Sequence, residues 1–252
     1  MLFFKRILDT RKPEAPSDRR GGSRFAVQAG FPVKAILNIA GRDELGQPLA
    51  DKNKQGLDWT GRLIDLSSSG ARIQVPRTVL AERGDSCRLK IDVQGYELVV
   101  PGKIAHVAER RDSLLFGLAL DLEASQTQAA FRQLVELVAL GSTLKQSKPL
   151  QPDASGYMVE EFTGEPSSRL VIWRRMVGRE VAAFEFVLKD CVVRGLADRE
   201  GLECFAGADA ATARRASGAK GEEIQRLYQW VVLNLAPAVP ADVRDFLQQH
   251  AA

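Results

Sequence analysis

Asp65-Leu66-Ser67-Ser68-Ser69-Gly70 is a DxSxxG turn between two strand-like runs, Trp59 to Asp65 before it and Ala71 to Val75 after it. The second run alternates apolar and polar residues as a half-buried strand does. About forty residues upstream lies Arg20-Gly21-Gly22-Ser23-Arg24, an RxxxR pair on a glycine-bearing segment. Guanidinium forks match phosphate oxygens and the O6/N7 edge of guanine, and they stack on purine faces. Asp65 can accept from the N1–H and N2–H2 edge of a guanine, Ser67 can donate to a phosphate, and Gly70 admits a tight turn with positive φ. A ligand with two phosphates and two guanines suits this set of groups. Either string alone is ordinary tail or turn composition; their order, spacing and strand context give the pair its meaning.

Working outward, Phe31 to Ile39 reads as a strand, and Gly41 to Gly56, polar and without apolar period, as a long loop or insertion. Cys87 to Val93 alternates, turns near Gln94-Gly95 and returns as Tyr96 to Val100. Gly102 to Val107 and Leu114 to Leu120 are two further strands around the polar turn Glu109 to Asp112. A helix follows over Gln126 to Leu140, with Phe131, Leu134, Val135 and Val138 on one face and Gly141 as its stop. Six or seven short strands at this spacing predict an antiparallel barrel or sandwich.

Basic arm, DxSxxG turn, strands and closing helix together resemble the PilZ domains, bacterial receptors for cyclic di-GMP, over roughly residues 18–140. Phe116-Gly117-Leu118-Ala119 is similar to a late strand of that family. The resemblance implies a mainly β fold with some α: a six-stranded antiparallel barrel with a closing helix. It implies that Arg20 and Arg24 bind phosphate and guanine, that Asp65 reads guanine, that Ser67 touches phosphate and that Gly70 holds the turn. An arginine at the position of Arg19 resembles the form that holds a stacked pair of ligand molecules. Arg72, just past the turn, is expected to face solvent. The sequence departs from the family in the long polar insertion before Asp65.

The expected organisation is an N-terminal arm over 1–17, the PilZ-like barrel over 18–141, a linker over 142–156 and a smaller α+β domain over 157–252. In the last, Arg169 to Trp173, Val181 to Leu188, Cys191 to Gly195 and Leu202 to Phe205 read as strands. Glu222 to Leu235 and Ala241 to Gln249 read as helices. This region has no RxxxR or DxSxxG of its own and resembles no family. A separate partner-binding or self-association unit is expected, with a degenerate copy of the barrel as the alternative.

Composition narrows the function. The formal net charge of +3 over 252 residues is too small for a generic polyanion binder, and there are few aromatics for stacking nucleic acid. Residues 1–24 nevertheless hold seven basic side chains against three acidic ones, which steers an anion toward the arm. Cys87, Cys191 and Cys204 lack metal-ligand spacing and read as small buried hydrophobes of a reducing compartment. No apolar run is long enough to span a bilayer, and Met1 to Leu8 is too short and interrupted for a secretory leader, so a cytoplasmic protein is expected. GxSxG, Walker A and HExxH motifs are absent, His106 and His250 read as structural, and the acid pairs Glu160-Glu161 and Glu222-Glu223 as solvated. The expectation is a non-catalytic cyclic di-GMP receptor with no cofactor, signalling through its arm or its C-terminal domain. The alternative is a PilZ-like adaptor that acts through protein partners.

Overall fold

The computed structural model describes residues 23–41, 56–123, 125–207 and 212–251. Its first strands are β1 (Phe25–Ala26), β2 (Val33–Ile39), β3 (Asp58–Ser67), β4 (Gly70–Pro76), β5 (Ser86–Val93), β6 (Tyr96–Glu109) and β7 (Ser113–Leu120), followed by helix α1 (Ser125–Ser142). All pairings are antiparallel. The order β3-β2-β5-β6-β7-β4 closes on itself through a β3–β4 pairing, and β1 adds to β3. The expected six-stranded barrel with its helix is what the chain forms. Closure leaves the ring without free edges, and its interior is filled by alternate residues such as Leu37, Leu63, Ile73, Leu89, Val100 and Phe116.

Two breaks in that alternation set the outer wall. In β3, Leu63 pairs with Ile73 and Leu66 with Ala71, all buried, while Asp65 pairs with Arg72. Strict alternation from Leu63 would turn Asp65 inward. A β-bulge between Leu63 and Asp65 shifts the parity by one and turns the carboxylate to the outside. In β6 the same device sits between Ile104 and His106, so that Ile104 remains buried and His106 is exposed on the wall opposite Gly117.

Tyr96–Val100 and Gly102–Val107, expected as separate strands, are one strand of 14 residues. The Pro101-Gly102 pair between them does not break it. The Pro101 carbonyl accepts from the Asp121 N–H at 2.8 Å, and glycine is required at 102 because the Ala119 carbonyl oxygen lies 2.5 Å from where a Cβ would stand. Gly141 likewise does not end α1, which continues to Ser142. Its missing side chain admits the Val231 carbonyl oxygen, 2.7 Å from the would-be Cβ.

The second sheet comprises β8 (Lys145–Pro152), β9 (Tyr157–Gly164), β10 (Ser168–Arg175), β11 (Val181–Leu188), β12 (Cys191–Leu196), β13 (Arg199–Ala206) and β14 (Arg214–Arg215), with α2 (Gly218–Val232) and α3 (Ala241–Gln249) after it. Its strands lie in chain order as an open antiparallel meander, so it is no second barrel. Residues 145–152, expected within a linker, are its edge strand, exposed along nearly its whole length and therefore without a readable apolar period. The chain divides into two compact units, one holding residues 32–135 and the other 136–252 together with Gln28–Phe31.

One face of this sheet packs on the helices, where Phe184 stacks on Tyr228 at 5.6 Å between ring centroids and Phe186 meets the same ring edge-on. Arg174, on that face, binds Glu160 at 2.8 Å and also Asp242 of α3. The other face carries a chain of ion pairs across five strands. Lys148 meets Glu161 at 2.8 Å, Arg169 meets Glu161 at 2.9 Å and Glu185 at 3.9 Å, and Arg194 meets Glu185 at 2.7 Å. Glu160 and Glu161, expected to be solvated, are both buried: as strand neighbours they point to opposite faces, and each finds cations there.

Candidate ligand site on the barrel wall

The two-residue strand β1 lays Phe25 against Leu66 and Ala26 against Asp65, and Val27 donates to the Ile64 carbonyl at 2.9 Å. Arg24 is thereby delivered to the bulged carboxylate. Its Nη1 donates to Asp65 Oδ1 at 2.9 Å, while the guanidinium of Arg72 binds Oδ2. Asp65 is only 3% exposed, and the side chains of Arg24 and Arg72 that cover it are 49% and 43% exposed. The hydrogen bond to Asp65 holds the Arg72 guanidinium above its ordinary pKa. A buried carboxylate thus stands between two cations whose remaining donors face solvent, an arrangement suited to receiving phosphate.

Ser67 is buried, and its hydroxyl donates to the Gly70 carbonyl at 3.3 Å. Gly70 does not adopt positive φ. Glycine is needed there because the Leu118 carbonyl oxygen lies 2.5 Å from where a Cβ would be. Asp65, Ser67, Gly70 and Arg24 are therefore brought together, whereas Arg19 and Arg20 lie outside the described residues. Arg72, expected to face solvent, joins the site. The turn itself carried the signal: Ser67 opposite Gly70 forces Leu66 opposite Ala71 and Asp65 opposite Arg72.

Other chemistry-bearing residues lie elsewhere. Cys87, Cys191 and Cys204 are free and buried, and burial pushes the Cys87 and Cys191 thiols up to about 12. His250 lies with its ring nitrogens 3.0 Å from the Phe246 carbonyl and 3.2 Å from that of Leu196. Among the described residues no cluster of His, Cys, Asp or Glu is arranged to hold a metal, and no helix is long and apolar enough to cross a membrane.

Residues 20–140 match the family model of the PilZ domain. The chain carries a PilZ domain. The match takes in Arg20, Arg24, Asp65, Ser67, Gly70 and Arg72 and stops one residue short of Arg19. Among solved structures the chain is similar to the crystal structure of the PilZ domain of CeSA from a cellulose-synthesizing bacterium, with 19% identity over 45% of this chain and 94% of that chain and a TM-score of 0.29. No curated protein matches the chain. PilZ domains are a family of cyclic di-GMP receptors and PilZ-like adaptors, generally non-enzymatic and often acting through protein partners.

Proposed function

We propose that this protein is a cytoplasmic receptor for cyclic di-GMP, and that it binds the dinucleotide between the arginine arm and the DxSxxG turn. The observation that carries the reading is the contact of Arg24 with Asp65: the last residue of RxxxR already stands on the first residue of DxSxxG. In this reading Asp65 takes the N1–H and N2–H2 edge of one guanine. Arg24 and Arg72 keep one donor each on Asp65 and offer the rest to phosphate and to the purine face. Ser67 turns its hydroxyl from the Gly70 carbonyl to a phosphate oxygen. Arg20, and Arg19 before it, complete the cationic side from the arm. The output passes to a partner through movement of that arm or of the unit over residues 157–252.

Isothermal titration with cyclic di-GMP on the wild type and on the Arg24→Ala, Asp65→Ala double variant tests this. Micromolar or tighter binding that the double variant loses is the expected result. A wild type that gives neither heat nor signal by an independent probe overturns the receptor reading and moves the function to a partner-binding adaptor.

A further inference from the structure

Beside the motif, the barrel wall contains a groove of about 520 Å³ that the motif does not explain, lined by Ser86, Arg88, Gly102, Lys103, Ala119 and Asp121 among others. This is the size of a small-ligand site. It adjoins the motif directly through the strand register: Ser67 pairs with Gly70, Gly70 with Ala119, Ala119 with Lys103, and Lys103 with Ser86. At about 4.8 Å per strand, Lys103 stands roughly 14 Å along the wall from Ser67. Little obstructs the path, because the two positions between them are Gly70 and the exposed Ala119. One row over, Gly117 separates Arg72 from His106.

The groove repeats the donor set of the motif. The motif offers two cations, a carboxylate and a serine hydroxyl in Arg24, Arg72, Asp65 and Ser67. The groove offers the same types in Arg88, Lys103, Asp121 and Ser86. Arg88 and Lys103 have no ion-pair partner among the described residues, so both cations are free to take an anion. Two like sets joined by a smooth strip fit a ligand that presents guanine and phosphate twice. A single set would hold only half of it.

We propose that this groove is a second guanine-nucleotide subsite, in which Lys103 and Arg88 hold a phosphate and Asp121 accepts from the guanine donor edge. The proposal rests on the receptor reading above and names residues outside its two motifs. Its occupant is a guanine nucleotide, either the second half of the bound dinucleotide or a second molecule.

The test is titration of the full chain with cyclic di-GMP in four forms: wild type, Ala119→Trp, Arg88→Glu with Lys103→Glu, and Asp65→Asn as the motif control. Position 119 faces out, so tryptophan there fills the strip without entering the core, and thermal melting of each variant checks the fold. A tenfold or greater loss of affinity in both wall variants at an unchanged melting temperature is expected. A ratio of one ligand per chain throughout assigns the groove to the second half of the same molecule. A ratio of two that drops to one in the wall variants assigns it to a second molecule. Wild-type affinity and ratio in both wall variants, with binding lost in Asp65→Asn, overturns the subsite and leaves the receptor reading standing. No binding by the wild type overturns both.

Discussion

Two seven-stranded sheets in one chain place their buried carboxylates in opposite kinds of ion pair. On the closed barrel, Asp65 is held by arginines that are themselves about half exposed, one of them delivered by a two-residue strand. On the open sheet, Glu161 and Glu185 sit in a chain of cations that crosses five strands, and Glu160 is held by an arginine that is itself buried. Partners that remain in water can turn to a ligand at small cost, because surface pairs contribute little. Partners buried with their carboxylate cannot leave without stranding a charge. The barrel's pair is built to exchange, the sheet's to stay.

The most severe way to break this contrast is Arg174→Ala. It leaves Glu160, 4% exposed, without its guanidinium, and the expected cost is about 3 kcal/mol or more in urea unfolding. A loss below about 1 kcal/mol would mean that the buried pair is no tighter than a surface one. Arg72→Ala is the matched change on the barrel. It removes one of two partners of Asp65, and the expected loss is about 1 kcal/mol of stability, with a fall in cyclic di-GMP affinity of tenfold or more. Stability and affinity falling in the opposite proportion would assign Arg72 to the scaffold.

Acid sharpens the comparison without mutation. The hydrogen bond from Arg169, with help from Lys148, holds Glu161 below its usual pKa, and Arg174 does the same for Asp242. Such groups contribute fully above their unfolded values of 4.5 and 3.8, and the contribution is lost as pH falls through the lower folded values. Circular dichroism melts between pH 7 and pH 3 are expected to be flat near neutrality and to drop below about pH 4.5. A melting temperature unchanged at pH 3 would show that these pairs carry no stability. The smallest effect is expected from Lys148→Ala, under about 1 kcal/mol in urea unfolding, because Lys148 is exposed and Arg169 still holds Glu161.

Much of the barrel was legible because its strands are short, alternating and set apart by turns. The DxSxxG string even dictates the register that pairs Asp65 with Arg72. The bulge that turns Asp65 outward was not legible, since Leu63-Ile64-Asp65-Leu66 has no residue that marks an extra position. β8 escaped for a related reason: an edge strand exposed along its length has no buried face to write into the sequence, and Pro149 and Pro152 imitate a linker. The roles of Gly70, Gly102 and Gly141 depend on carbonyls that approach from distant strands or helices, which local turn chemistry does not reveal. The ion pairs around Glu161 were hidden too, because they join residues on five strands whose pairing is known only from the fold.

The bulge also fixes where this chain can tolerate a change of length. Between β2 and β3 the sequence runs from Ala40 to Leu57, and residues added or removed there leave the Asn38–Asp58 pairing and all that follows in phase. One residue lost between Leu63 and Asp65 restores simple alternation, turns the carboxylate into the apolar interior and leaves Arg24 and Arg72 facing an apolar side chain. Counting is therefore part of the recognition chemistry: in β3 the spacing of residues matters as much as which residues they are.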